Sequence, residues 1–208
     1  MCINPHKDFP NLTEDFVQDH HDDVDYLKYL NQKASKMKEL KGNLWEMECD
    51  AVCISTNGFI KNNGECVMGR GCAKEAAEFF PEIPKLLGDR IKKYGNVVQT
   101  IRHFEGVAIL SYPVKPEMNP FLADKDEVVK HMRDKYKLGD QVPGWACVAL
   151  INIIEQSAKQ LVELADRHGW KKVLIPQVGC GAGELNWSEV KPILDEILDD
   201  RFYAVTFK

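Results

Sequence analysis

The sequence predicts an α/β domain with a largely parallel central sheet and helices on both faces. Three observations predict it: apolar runs that lack polar alternation, helical stripes placed between those runs, and glycine-rich loops where a strand passes into a helix. At 208 residues, with 44% apolar and 28% charged side chains, 14 glycines and 10 prolines, the chain is long enough for one sizeable core. Such a domain removes roughly 70% of its unfolded surface from water.

Taken in order, the first 36 residues carry seven acids against four lysines (Lys7, Lys28, Lys33 and Lys36), and they read as an acidic extension. Phe16, Val17, Val24, Leu27 and Leu30 fall near helical spacing, which suits either a docked amphipathic helix or a partly disordered arm. From Met37 to Leu40 a short strand opens the main domain, residues 37–208. Ala51–Thr56 is a largely apolar, β-prone run without polar alternation, as a strand covered on both faces should be. Cys72, Ala73, Ala76, Ala77 and Phe80 recur at helical spacing until Pro81 ends the pattern, and a second helix is expected over Pro84–Tyr94. Strands follow at Val97–Arg102 and Val107–Tyr112.

Residues 116–143 interrupt this alternation and read as an inserted surface lid. Asp124 and Glu127 have capping-box spacing ahead of Val128, Val129, Met132 and Tyr136, with Gly139 placed to end a helix. Cys147, Ile151, Ile154, Ala158, Leu161 and Ala165 then form the clearest helical stripe, stopped by Gly169. A strand at Val173–Ile175, a helix at Ser188–Leu198 and a strand at Phe202–Thr206 complete the chain.

Several function classes are excluded at this level. The longest uncharged apolar stretch, Trp145–Ile154, is about half of a bilayer span, so no membrane helix is expected. Met1–Phe16 lacks the basic start and apolar stretch of a secretory leader, which predicts a cytoplasmic protein. The seven cysteines contain no C-x-x-C pair, so neither a disulfide framework nor a metal site is expected. With a net charge of −5, an anion must be held by local dipoles rather than by a basic face.

Two loops offer such dipoles. One runs from Asn57 through Met68-Gly69-Arg70-Gly71 into the Cys72 helix; the other is Gly179-Cys180-Gly181-Ala182-Gly183, leaving the Val173–Ile175 strand. Successive amides in glycine-rich loops can turn inward on an anion, and a helix N-terminus adds positive potential behind them. Parallel strands would bring both loops to one edge, where together they suit a diphosphate. Taken singly, either loop could be no more than a tight turn. Glu184 stands where a dinucleotide fingerprint wants glycine or alanine, and no G-K-[ST] exists for a P-loop.

Four segments, Gly42-Asn43-Leu44, Ser55-Thr56-Asn57, Val67 to Ala73 and Ile175 to Trp187, resemble the macrodomain family in order and spacing. The likeness is nearest to the branch of the terminal ADP-ribose glycohydrolase and the antitoxin macrodomains that strip ADP-ribose from DNA, where V-M-G-K-G-I-A and G-C-G-L-x-x-L-x-W loops recur. It implies a three-layer α/β/α fold with a mixed, largely parallel central sheet, ADP-ribose or an ADP-ribosylated substrate as ligand, transient contact with ADP-ribosylated nucleic acid, and no cofactor. Asn43, beside Leu44, would lie by the adenine. Asn57 would hold the distal ribose, while Met68 to Gly71 and Val178 to Gly183 would hold the phosphates.

Lys115, just past a strand end, matches the lysine that in this branch attacks or stabilises the anomeric carbon. An amine desolvated there would have a lowered pKa and could act on a sugar carbon, whereas composition alone would make it a plain surface lysine. Glu184 reads either as a base or as a solvated carboxylate. Gly183 stands where the protein-directed enzyme has an acid. The extra loop residues offer Phe59 for stacking and Lys61 for a phosphate. Cys180 lacks a histidine partner in either loop and reads as packing. The implied activity is hydrolysis of an ADP-ribosyl linkage; an ADP-ribose 1''-phosphate phosphatase and a binder without turnover are the alternatives.

Overall fold

A computed structural model describes residues 36–206, and the expected helical extension at 1–36 lies outside them but for its last residue. Six strands form one sheet in the order β1-β8-β7-β2-β4-β3: β1 (Lys38–Lys41), β2 (Ala51–Thr56), β3 (Gln99–Phe104), β4 (Val107–Pro113), β7 (Val173–Pro176) and β8 (Phe202–Thr206). Every neighbouring pair is parallel except β3 with β4, so the sheet is mixed as expected.

Side chains alternate across the sheet, and both faces are covered. Val52, Ile54, Ile109 and Leu174 pack against Ala76 of α1 (Gly71–Phe79) and Ile83, Leu87 and Ile91 of α2 (Ile83–Tyr94). Ala51, Cys53, Leu110, Tyr112, Val173 and Ile175 face the stripe Ile154, Ala158, Leu161 and Ala165 of α3 (Ile151–His168), with Val190 and Leu194 of α4 (Trp187–Ile197). The Tyr112 hydroxyl donates to the Ile154 carbonyl at 2.9 Å and Ser157 Oγ to the Pro113 carbonyl at 2.8 Å, which fixes α3 against the end of β4. Among the described residues no helix is long and apolar enough to cross a membrane.

Two expectations shift. Strand β3 begins at Gln99 rather than Val97, because the Val98 amide donates to the Gln160 side chain instead of to a strand. The stripe that opens at Cys147 becomes helical only at Ile151.

The insert departs further. It holds a short antiparallel pair, β5 (Met118–Asn119) with β6 (Val142–Pro143), and 3₁₀ turns at Lys125–Glu127 and Lys130–Lys135 in place of the expected helix. Asp124 does cap, accepting from the Asp126 amide at 2.8 Å. Glu127 instead accepts from Asn119 Nδ2 at 2.8 Å and the Ala123 amide at 3.2 Å. Val128 stays extended and bridges Cys147, and the Val129 amide donates to the Ala146 carbonyl at 3.0 Å. Two consecutive β-branched residues favour that conformation. Their side chains, with Leu122, Met132, Val142 and Ala146, form a small core of the insert's own.

Candidate functional site

Strands β2 and β7 are adjacent and parallel, with Val52 opposite Leu174, so the loops that follow them leave at the same end of the sheet. Both line one cleft of about 550 Å³.

The first loop is held by a side chain. Asn57 Nδ2 donates to the Val67 carbonyl at 2.8 Å, and its Oδ1 accepts from the Phe59 amide at 3.0 Å, closing the loop on itself. Between these anchors a bridge joins Ile60 to Cys66, and Lys61 pairs with Glu65 at 2.6 Å. Phe59 and Lys61 are therefore spent on this excursion and do not line the cleft, contrary to expectation. The chain then runs from Val67 to Arg70 and enters α1 at Gly71.

The second loop is held by its own main chain. The Leu185 amide donates to the Gly179 carbonyl at 3.0 Å, the Glu184 amide to the Gly181 carbonyl at 3.1 Å, and the Ala149 amide to the Gly183 carbonyl at 2.9 Å. Gly179 adopts φ of 77°, which other residues rarely take. A Cβ on Gly183 would overlap the Gly179 carbonyl oxygen and the Ala149 methyl, so no acidic residue fits there without moving the loop. Among the described residues, the amides of Gly69, Arg70, Gly71, Gly181, Ala182 and Gly183 donate to no protein acceptor. Two runs of free amides thus border one cleft, and one run sits at the positive end of α1.

Lys115 closes one end of the cleft. The Val114 amide donates to the Thr56 carbonyl at 3.0 Å, carrying the β4 edge past Pro113, and Lys115 follows with 6% of its surface exposed. Its Nζ donates to the Ala182 carbonyl at 2.8 Å and the Trp145 carbonyl at 3.3 Å. Burial pulls its pKa down to about 8; Cys147 and Glu184 oppose that, and Arg70 reinforces it. An uncharged amine has two N–H groups and one lone pair, so with both donors engaged the lone pair is what remains for a ligand.

Leu44, Asn57, Met68 to Gly71 and Gly179 to Gly183 all line the cleft with Lys115. Arg70 is exposed there at the start of α1. Val178 and Asn43 are not among the lining residues: Val178 is fully buried behind the loop, and Asn43 is turned away. Asn43 Oδ1 accepts from the Trp45 amide at 3.0 Å and its Nδ2 donates to Glu46 at 2.8 Å. Glu184 has φ of 64°, and its two carboxylate oxygens accept from the Lys130 amide at 3.0 and 3.1 Å, so it ties the second loop to the insert. Burial pushes the Cys180 thiol up to about 11, which leaves it protonated at neutral pH. Sequence reasoning missed Glu75, His131, Trp145 and Gln177, which also line the cleft. None of the four carried a signal in the sequence, since each is a lone side chain without a pattern around it. Among the described residues no group of three or more metal-ligating side chains comes together.

No protein-family model matches the chain. A "DNA ADP-ribosyl transferase-DNA ADP-ribosyl glycohydrolase fusion protein" of Thermosipho africanus is 27% identical over 130 residues, 62% of this chain and 31% of that protein. The chain's matched part therefore spans about a third of the length of that curated relative. The macrodomain of Thermus aquaticus DarG superposes with a TM-score of 0.58 at 19% identity, covering 82% of this chain and 97% of the other. Thermosipho africanus DarTG in complex with ADP-ribose superposes with a TM-score of 0.55 at 19% identity, covering 80% of this chain and 40% of that one. The fold is that of the macrodomains, three α/β/α layers around a mixed, largely parallel sheet.

Proposed function

We propose that this macrodomain-fold chain binds ADP-ribose across the ends of its strands and hydrolyses an ADP-ribosyl linkage at Lys115. The sheet order supports the pose. Free amides border the middle of the cleft, beyond β2 and β7, while Lys115 follows β4 at one end and Gly42 and Leu44 follow β1 at the other. A ligand with a diphosphate at its middle and a sugar on either side matches that layout, and the DarTG relative holds ADP-ribose. The distal ribose then falls to Lys115, near Asn57.

The observation that carries the reading is the buried Lys115 amine, held by the Ala182 carbonyl of the second glycine loop and the Trp145 carbonyl just after the insert, with its pKa lowered to about 8. In its uncharged form the amine bonds to the anomeric carbon as the linkage to the leaving group breaks, and the leaving group takes the amine's surplus proton. Water then cleaves the carbon–nitrogen bond, freeing ADP-ribose and restoring the amine. The name of the curated relative supports ADP-ribosylated DNA as the substrate.

Calorimetry against ADP-ribose, with AMP and NAD as controls, tests the pocket; micromolar affinity, about −8 kcal/mol, is expected. Release of ADP-ribose from an ADP-ribosylated oligonucleotide tests the chemistry. If Lys115→Ala releases it as fast as the parent, the role of the lysine is refuted. Phosphate release from ADP-ribose 1''-phosphate alone would move the reading to a phosphatase. One observation favours a second reading, binding without turnover: Glu184 is committed to the Lys130 amide, so among the described residues no unengaged carboxylate lining the cleft stands by Lys115 to activate water. Tight binding with no release from any substrate is its signature.

A further inference from the structure

The nucleoside end of the cleft contains a carboxylate whose position calls for a hydrogen-bond donor on the ligand. The chain that sets it begins at Asn43. Its Oδ1 accepts from the Trp45 amide at 3.0 Å, and the Trp45 indole Nε1 donates to Glu75 Oε2 at 2.8 Å. The indole is also braced by Phe79, with ring centroids 5.5 Å apart at an interplanar angle of 72°. Glu75 lies half-buried on α1, one turn beyond Gly71, and lines the cleft, whereas Trp45 and Asn43 do not. Among the described lining residues it is the only carboxylate. Its second oxygen, Oε1, takes no hydrogen bond from the described residues.

We infer that Glu75 reads the nucleobase, accepting from the exocyclic amine of adenine, and that Asn43 and Trp45 are positioning residues that aim it. This rests on the ADP-ribose reading above, since Lys115 takes the distal sugar and leaves the nucleoside for the end bordered by Gly42, Leu44, Val205 and Thr206. An ionised carboxylate only accepts hydrogen bonds. It therefore pairs with the 6-amino group of adenine and opposes the 6-oxo group of hypoxanthine, where two acceptors would face each other. The adenine-side function that the resemblance attaches to position 43 passes to position 75, because the Asn43 side chain is consumed in its own turn.

The test compares ADP-ribose with its hypoxanthine analogue, inosine diphosphate ribose, by calorimetry on the full chain. The parent is expected to prefer adenine by about tenfold or more. Glu75→Gln, whose amide can present either a donor or an acceptor, should bring the two ligands to within about twofold of each other. Trp45→Phe keeps the carboxylate but removes its anchor, and the preference should fall to about threefold. A purely structural loss would weaken both ligands alike and leave their ratio unchanged. An unaltered ratio in Glu75→Gln, or equal binding by the parent, overturns the assignment of Glu75 alone. A parent that binds neither compound overturns the ADP-ribose reading, and this assignment with it.

Discussion

The two glycine loops border one cleft but are kept in shape by different means. In the first, a single side chain does the work: Asn57 spans from the Phe59 amide to the Val67 carbonyl, and the residues between fold away as a small hairpin. In the second, the main chain closes on itself, the Gly183 carbonyl is taken by Ala149, and Glu184 and Lys115 bind the loop to the insert and to the end of β4. The second has less slack, because the carbonyls of Gly179, Gly181, Ala182 and Gly183 are each matched to a neighbour.

The largest effect belongs to the residue that joins the second loop to the proposed chemistry. Lys115→Ala should lower the release of ADP-ribose by about 10³-fold while leaving the affinity for free ADP-ribose much closer to the parent's, measured by single-turnover kinetics beside calorimetry. In the parent, the single-turnover rate should climb with pH and level off above about pH 8, where the amine is uncharged. A rate flat from pH 6 to pH 10 would remove the lysine from the rate-determining step.

Stability should follow the same group. Its folded pKa, about 8, lies below its ordinary 10.5, so below about pH 8 the lysine is charged in both states and the fold carries the whole cost of burying it. Between those values the unfolded chain holds more protons, and stability rises with pH. The difference is about 3 kcal/mol. Denaturation of Lys115→Met beside the parent should show the variant's relative advantage shrinking by about that much from pH 7 to pH 11; a constant gap would mean that the lysine is not desolvated.

Gly183→Asp probes the second loop directly. Its Cβ would meet the Gly179 carbonyl and Ala149, so a loss of about 2 kcal/mol in urea denaturation is expected together with lost ligand binding. Asn57→Ala probes the first loop, removing both anchors, and should cost about 1.5 kcal/mol. A larger loss from Asn57→Ala than from Gly183→Asp would reverse the contrast between the loops. The smallest effect is expected from Glu184→Gln, which keeps one acceptor for the Lys130 amide and should cost about 0.5 kcal/mol in the same measurement.

Much of this was legible in the residues. Ala51–Thr56 read as a strand covered on both faces because polar and apolar residues do not alternate along it, and Val173–Ile175 read as a strand after the helix that Gly169 ends; both are buried and parallel. Lys115 stood out through the resemblance to the glycohydrolase branch, since by composition alone it would have read as a surface lysine. The insert misled because apolar spacing at 128, 129, 132 and 136 suits a helix as well as an extended pair followed by a turn. Packing against Ala146 and Cys147, distant enough in the chain to leave no local signal, settled it. At Asn43 the sequence could not show that a short amide next to a glycine is hydrogen-bonded within its own turn. Glu75 and His131 could not have been singled out, since a lone acid on a helix and a lone histidine in a loop carry no pattern.

The chain's own order of residues determined the alternation of strand and helix, the two glycine loops and the lysine beyond a strand end, because periodicity and backbone freedom act over a few neighbours. Tertiary structure decided which side chains meet. Lys115 between two carbonyls, Glu184 on the Lys130 amide and Glu75 under the Trp45 indole each join segments 30 to 67 positions apart in sequence. Hydrogen bonds across such separations depend on where the sheet places its strand ends, and no local spacing encodes that placement.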